Sequence, residues 1–190
     1  MFIVEIGSRG SHQDDFLFRE PARRLAPEAD ERAIIAKTLE ILSQATDGRV
    51  RGWLSPGKSE SHATLALIAA AGLDYVCDWV NDDMPYPMRT KAGPIMSMPH
   101  PSDIDDYAIL VQNHHTEDDF TDQLCDQFDA LYRETERHGG RIMAISLHPW
   151  IIGQPYRIGA LEKALAHIMG HASVWAATGG EILDAFKAQP

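Results

Sequence analysis

Short apolar runs alternate along the chain with longer segments whose apolar residues recur at helical spacing. The runs that predict strands lie at 2–6, 50–54, 75–80, 107–111, 141–147 and 173–176, with a further short strand near 95–98. The helical segments lie at about 28–46, 59–71, 116–138 and 158–169, and a last helix opens at 178–181. This repeated β–loop–α pattern is typical of a parallel sheet with right-handed crossovers. It predicts a single α/β domain over residues 1–190, with the sheet open or curled into a barrel.

Two of the predicted helices carry recognisable start signals. Thr116 precedes Asp119, and Thr178 precedes Glu181, at the spacing with which a hydroxyl and a carboxylate cap the first turn. The strand at 2–6 begins almost at the initiator Met. A parallel strand in that position is expected at an edge of the sheet, or after a missing element.

Polar residues of catalytic type follow the ends of successive predicted strands. The carboxyl ends of parallel strands share one face, and ligands bind there. The residues in these loops are His12 with Asp14 and Asp15, Ser55-Pro56-Gly57, Asp78 with Asp82 and Asp83, His114 with His115, and His148. Histidine and aspartate supply general acids, general bases and metal ligands near neutral pH. Their one-sided distribution favours an enzyme.

His148 is the strongest single candidate. It ends the apolar run at 141–147, and Pro149 stops the strand from continuing. The imidazole is therefore expected at the rim of the sheet, facing the ligand crevice. The alternative is a strand-terminal histidine whose ring nitrogens are satisfied by the protein and which has no role in catalysis.

The other candidates have structural alternatives as well. Asp82 and Asp83 are either substrate-binding groups or a solvated turn. His114 is either part of the site or part of a helix-entry segment. Trp79 lies at a strand end, where it could be a substrate platform or a core residue.

The composition excludes some classes of partner. The 190 residues carry a formal net charge of −11, which argues against nucleic acid or an anionic membrane as the main partner. The sequence has no apolar run long enough to cross a bilayer and no basic segment followed by an apolar signal core. A cytoplasmic protein that acts on a small molecule is therefore expected. Its two cysteines, Cys77 and Cys125, have no metal-ligand spacing and are expected to be reduced.

Three stretches resemble the polysaccharide deacetylase superfamily, and within it the branch of cofactor-independent allantoinases and related amide hydrolases. They are Gly-Trp-Leu-Ser-Pro-Gly at 52–57, Tyr-Val-Cys-Asp-Trp-Val-Asn-Asp-Asp-Met-Pro-Tyr at 75–86, and Ser-Leu-His-Pro at 146–149. The resemblance implies an irregular (β/α) barrel with helices outside, and hydrolysis of non-peptide C–N bonds. It also implies that His148 protonates the leaving group. The substrate-binding residues expected on this basis are Trp53, Pro56, Trp79, Asp82, Asp83 and His114.

The resemblance also bears on metal binding. Residues 5–12 fall on the region that provides two zinc-binding histidines in metal-dependent members of the family. His12 matches the second histidine, whereas Arg9 stands at the first, and a guanidinium has no free lone pair with which to bind a cation. The expected cofactor is therefore none, or one zinc ion held by His12 together with an unrelated residue such as His114 or His115.

The family's catalytic Asp-Asp pair follows its first strand, and the resemblance places that pair upstream of Met1. An incomplete barrel is therefore expected, with an open edge that could pair with a second copy to form a homo-oligomer. Two main functions remain open on the sequence: a hydrolase of small ureides, imides or acetylated sugars, and a catalytically incomplete relative that serves as a binding or assembly subunit. A pure oligomerisation scaffold is a third possibility.

Overall fold

The computed structural model of the protein describes residues 2–8, 28–46 and 49–189. Within these ranges, the strands and helices are β1 (Phe2–Ser8), α1 (Glu28–Thr46), β2 (Gly52–Trp53), α2 (Thr64–Ala70), β3 (Tyr75–Val76), β4 (Tyr86–Thr90), β5 (Gly93–Ser97), α3 (Glu117–His138), β6 (Arg141–Leu147), α4 (Ile158–Met169), β7 (Val174–Ala176) and α5 (Gly179–Lys187). A π-helix, Tyr107–Gln112, precedes α3. The predicted α/β alternation is confirmed.

The strands form two separate sheets. In the first, β1 lies between β6 and β7 and is parallel to both, with Phe2 opposite Arg141 on one side and Val174 on the other. The second has the order β2-β3-β5-β4, in which only the β4–β5 hairpin is antiparallel. Within the described ranges the two sheets do not close into a barrel. The expectation that β1 is an edge strand is wrong, because pairing partners on both sides, not chain position, decide where a strand lies.

The main core lies between β6 and the helices α3 and α4. Phe120, Leu124, Phe128 and Leu131 recur at helical spacing on α3, and all four are buried. Burying an apolar side chain of this size stabilises the fold by roughly 1.5–3 kcal/mol. Since six of the seven residues of β6 are buried, the strand is anchored along nearly its whole length, and its carboxyl end is a rigid support.

The apolar run at 107–111 is a π-helix rather than the predicted strand. Ile109 and Leu110 are buried in the main core, but the predicted strand conformation is wrong. A short apolar run fits either a buried strand or a buried helical turn, and periodicity alone does not separate them. His114, which follows this helix with a φ of 55°, therefore does not stand at the end of a strand.

An arginine ties the second sheet to the last helix. Arg51 precedes β2, and its Nε donates to Oδ2 of Asp74 at 2.7 Å. Its two terminal nitrogens donate to the two carboxylate oxygens of Asp184 on α5, at 2.8 and 2.7 Å. The guanidinium lowers the pKa of the Asp184 carboxyl. Planar bidentate pairs of this kind fix orientation as well as contributing energy.

The helix α1 covers the second sheet through α2. Its Ile35 is buried against Leu67 and Ile68 of α2, while Ile34 and Ile41 are exposed. None of the helices in the described part of the chain is both long enough and apolar enough to cross a membrane.

Candidate functional site

His148 follows the last residue of β6 and is bound at two points by a buried carboxylate. Oδ2 of Asp106 accepts the backbone N–H of His148 at 2.8 Å, and Oδ1 lies 2.6 Å from the ring nitrogen Nδ1. Asp106 is fully buried and His148 is 4% exposed. Because a carboxylate oxygen only accepts, Nδ1 carries the hydrogen, and Nε2 has no hydrogen-bond partner among the described residues. The prediction that His148 stands at the carboxyl end of a strand is confirmed.

Two aromatic rings flank the imidazole. The centroid of the Tyr107 ring lies 5.7 Å from that of His148, and the centroid of the Trp150 ring lies 6.0 Å away in an edge-on arrangement. Tyr107 is the first residue of the π-helix, directly after Asp106, so one short segment supplies both the carboxylate and one wall. Such walls exclude water and strengthen the electrostatic interaction between Asp106 and His148.

The carboxyl ends of the two sheets meet beside this pair. His100, which follows β5, lies with Nε2 3.3 Å from Oγ of Ser146 on β6, and both residues are buried. The ammonium of Lys58 donates to the carbonyl oxygen of His100. Loops that follow β2 and β5 therefore converge on the strand end that carries His148. This convergence is what the parallel-strand argument predicted for the rim.

A second polar group lies at the carboxyl end of the second sheet. Oδ1 of Asp78 accepts the backbone N–H of Ser55 at 2.7 Å, and the indole N–H of Trp79 donates to Oε1 of Glu60 at 3.0 Å. A cavity of about 360 Å³ lies here, lined by Lys58, Glu60, Ser61, His62, Asp78 and Trp79. The cavity is large enough for a small polar molecule and presents two carboxyl groups to it.

The two carboxyl groups interact with each other. Burial, followed by the hydrogen bond and charge of Asp78, raises the pKa of Glu60 to about 7. Oδ2 of Asp78 is buried, and with both groups ionised it has no donor among the described residues. A proton on Glu60 gives the pair the hydrogen bond that two carboxylates lack, and so does an N–H or O–H of a bound molecule.

The other predicted substrate-binding residues do not all lie at the cavity. Trp79 lines the cavity, and the indole N–H of Trp53 donates to Oγ of Ser55, next to the exposed Pro56. Asp82 and Asp83 are exposed, and Oδ1 of Asp82 accepts the backbone N–H of Met84, as in a polar turn. The substrate-binding roles of these residues stay predictions.

The remaining two predicted residues are His114 and His12. His114 is exposed and follows the π-helix, so the strand-end position expected for it is wrong. His12 lies outside the described residues, and its assignment as a metal ligand stays a prediction.

Sequence reasoning missed Asp106 and Glu60. Asp106 is 42 residues from His148 along the chain, in a segment between a proline-rich stretch and an apolar run, and no spacing rule links the two. Glu60 lies near the start of α2. The predicted helical segment at about 59–71 includes it, so its position in the sequence favours a helix terminus. Its one sequence signal is an acidic residue in the loop after β2.

The described residues around His148 do not provide a set of metal ligands of the kind that the family resemblance implies. Within the described ranges, the one group of three suitable side chains is Asp129, His167 and His171, on α3 and on and after α4. These residues lie in the helical layer and not beside His148.

Comparison with known proteins gives a consistent family likeness. No family model matches the chain. A Schizosaccharomyces pombe protein described as "Putative polysaccharide deacetylase" is 32% identical over 122 residues, which cover 59% of this chain and 38% of the yeast protein. The crystal structure of PuuE allantoinase matches with a TM-score of 0.77 and 29% identity, over 86% of this chain and 54% of that one.

A second crystal structure, a "probable Polysaccharide deacetylase" from Pseudomonas aeruginosa PAO1, matches with a TM-score of 0.78 and 28% identity, over 89% of this chain and 57% of its own. The chain thus spans 38% of the curated relative and just over half of each solved structure. The sequence stretches at 52–57, 75–86 and 146–149, the α/β fold and these matches agree. In sequence and in fold, the chain is similar to proteins of the polysaccharide deacetylase superfamily.

Proposed function

We propose that the protein hydrolyses a non-peptide C–N bond in a small ureide, imide or acetylated sugar, with His148 as the general acid. The observation that supports this proposal best is the buried contact between Asp106 and Nδ1 of His148 at 2.6 Å. A carboxylate in this position sets the tautomer of the imidazole and stabilises its protonated form, as in other acid–base pairs of enzymes. The likeness to polysaccharide deacetylases and to an allantoinase supports the same class of reaction.

The reaction we propose has two proton movements. Water attacks the amide carbonyl carbon and loses a proton to a base, and the oxygen of the tetrahedral intermediate takes up the negative charge. The C–N bond then breaks while Nε2 of His148 donates its proton to the departing nitrogen. Asp106 positions the ring and balances the positive charge on the imidazolium before this transfer. A positioned acid of this kind typically contributes 10²–10⁴-fold to the rate.

The cavity beside Glu60 and Asp78 supports a substrate with several N–H donors. The buried Oδ2 of Asp78 is an acceptor for such a donor, and the Lys58 ammonium at the cavity wall suits a carbonyl oxygen. Ureides, imides and acetamido groups all combine N–H donors with carbonyl acceptors. Trp79, which is 42% exposed, offers an apolar surface against which a flat ring could pack.

The direct test uses His148→Asn. The side-chain nitrogen of asparagine takes a position close to that of the imidazole Nδ1, so the contact with Asp106 is kept while Nε2 is removed. We expect wild-type protein to consume at least one member of a panel consisting of a cyclic ureide, a cyclic imide and an N-acetylated sugar oligomer. The variant is expected to lose about 10²–10⁴-fold in kcat. Substrate loss is followed by NMR.

The matched control is His138→Asn, which changes an exposed histidine at the end of α3. It should keep the wild-type rate. Undiminished turnover by His148→Asn would overturn the role of His148. A folded wild-type protein that turns over none of the three substrate classes would favour the alternative function.

The alternative is a catalytically incomplete relative that serves as a binding or assembly subunit. The observation that favours it is the outer face of α1, where Ile34 is 59% exposed and Ile41 is 52% exposed. These residues are seven positions apart and share one side of the helix. The partner we propose is a second copy of this chain. Multi-angle light scattering that finds a monomer, both for the wild type and for Ile41→Glu, would count against this alternative.

A further inference from the structure

A separate cluster of histidine and carboxylate side chains lies on the helical layer. Asp129 of α3, His167 of α4 and His171, which follows α4, each present one ligand atom, and these three atoms lie within 4.8 Å of one another. All three side chains are partly buried. Two imidazoles and one carboxylate are a donor set that suits zinc and neighbouring divalent transition metals.

The hydrogen bonds within the cluster orient its possible ligand atoms. Nδ1 of His171 lies 2.8 Å from the carbonyl oxygen of His167. Since a carbonyl only accepts, Nδ1 carries the hydrogen and Nε2 keeps its lone pair. Metal-binding histidines adopt this arrangement, with one ring nitrogen donating to a carbonyl or carboxylate. Nε2 of His167 lies 2.7 Å from Oδ1 of Asp129. Since the carboxylate only accepts, Nε2 carries the hydrogen without a metal, and an ion that binds both atoms takes the place of that proton, which is released to solvent.

Aromatic packing fixes the two imidazoles before any ion binds. The ring of Phe128, which is fully buried, packs edge-on against His167 at 5.9 Å and against His171 at 4.9 Å between centroids. The hydroxyl of Tyr132 donates to the carbonyl oxygen of Ala172 at 2.9 Å. The segment after α4 is thereby held against α3, and little conformational entropy remains to be lost on binding.

The charge around the cluster favours a cation. Cys125 lies one helical turn before Asp129 on α3. Burial, and after it the negative charges of Asp129, Asp122 and Asp126, raise the pKa of the Cys125 thiol. The whole chain also carries a formal net charge of −11. Three carboxylates therefore lie near one another on this part of α3, and their negative charge favours a cation over an anion.

The cluster is distinct from the site at His148. The helix α4 returns the chain from the carboxyl end of β6 to the amino end of β7, so His171 lies near the level of Arg141, the first residue of β6. The seven residues of β6 span about 20 Å at roughly 3.3 Å per residue, and His148 stands beyond their other end. An ion at the cluster would not reach the reacting bond.

We propose that Asp129, His167 and His171 bind one divalent transition-metal ion, with water completing a tetrahedral shell. Its effect is structural, because it joins α3 to the end of α4 and to the segment that leads into β7. The competing explanation is an ordinary ion pair between Asp129 and His167, with His171 as a helix-terminal residue. This proposal does not depend on the proposed function.

Zinc binding to chelator-treated full-length protein tests the proposal. The informative variant is Asp129→Asn, since an asparagine oxygen still accepts a hydrogen bond from His167 but is a poor zinc ligand. Its matched control is Asp126→Asn, which removes an exposed carboxylate three residues earlier on the same helix. We expect wild type and Asp126→Asn to bind about one zinc ion more per chain than Asp129→Asn, with at least about a tenfold difference in affinity.

Thermal unfolding supplies a second measurement. A ligand that binds only the folded state raises the melting temperature, so zinc should raise it in wild type and Asp126→Asn but not in Asp129→Asn. Cobalt should give the visible absorption of a tetrahedral site in the first two proteins alone. Equal zinc content and equal thermal shifts in all three proteins, or no zinc binding by wild type, would overturn the proposal.

Discussion

Asp106 holds His148 at two points, with one carboxylate oxygen on the backbone N–H at 2.8 Å and the other at 2.6 Å from the ring nitrogen Nδ1. Both side chains are almost completely removed from solvent. Both oxygens of the Asp106 carboxylate are thus hydrogen-bonded to His148. In turn, the carboxylate sets the tautomer of the His148 ring. Removing either partner is therefore expected to lower the stability of the fold.

Stability should distinguish two substitutions at His148. His148→Ala leaves the buried Asp106 carboxylate without its ring partner, which is expected to cost about 3 kcal/mol or more in the free energy of unfolding. His148→Asn keeps a donor in the position of Nδ1, so most of that loss should be recovered. Chemical denaturation of the two variants and the wild type measures the difference. Equal stability of the two variants would show that the contact with Asp106 contributes little to folding.

Glu60 should make stability depend on pH. Its folded-state pKa of about 7 lies above the ordinary value of 4.5, so between these values the folded protein binds more protons than the unfolded chain. The contribution of the protonated group to stability is therefore complete below the unfolded pKa and is lost as the pH rises through the folded pKa.

The variant Glu60→Gln cannot ionise and keeps an oxygen for the indole of Trp79. Its stability relative to wild type is expected to increase between about pH 4.5 and about pH 7, where folded wild type keeps a proton that the unfolded chain has lost, and to level off above that range. Melting temperatures across this range provide the measurement. Glu136→Gln, on the exposed side of α3, is the control and should track the wild type. A Glu60→Gln difference that does not change with pH would contradict the expectation.

Gly52 should not tolerate a side chain. A Cβ there would lie 2.3 Å from Cζ of Tyr75, too close for the ring to accept without movement of β2 or β3. Gly52→Ala is therefore expected to cost about 1–3 kcal/mol in the free energy of unfolding.

Gly159 on α4 is the matched control, because a Cβ at that position meets no atom within 4 Å. Gly159→Ala should be neutral or stabilise by up to about 1 kcal/mol, since alanine loses less backbone entropy in a helix. Urea denaturation compares both variants with the wild type. A stable Gly52→Ala would mean that the ring of Tyr75 can move aside.

Features that depend on local pattern were predictable. The helix α3 was expected from Thr116 to His138 and is observed at Glu117–His138, with the predicted capping box between Thr116 and Asp119. The helix α4 also lies where the spacing of apolar residues placed it. Helix periodicity and caps involve residues within a few positions of each other, so the sequence displays them directly.

Strands were harder to predict, because a strand forms by hydrogen bonding to residues far away in the chain. The run at 75–80 was expected to be a strand throughout, but only Tyr75–Val76 pairs with neighbours. The hairpin of β4 with β5 was predicted only in its second half, and the run at 107–111 became a π-helix. In each case the residues are apolar enough for several conformations, and packing against distant elements selects one.

The site at His148 shows the same difference between local features, which the sequence predicts, and distant contacts, which it does not. An apolar run followed by histidine and proline was enough to place His148 at a strand end, and three stretches of sequence were enough to indicate the superfamily. Nothing local indicates that Asp106 is the partner, or that Glu60 lies against Asp78.

By itself, the sequence determined the α/β alternation, the limits of the long helices and the strand-end position of His148, because periodicity and capping act over a few residues. Only the tertiary structure decided that β1 lies at the centre of its sheet, that Asp106 orients the His148 ring, and that Asp129 meets His167 and His171. Those relationships join residues tens of positions apart. They arise when burial of the apolar faces brings separate elements together, and no local pattern records which elements will meet.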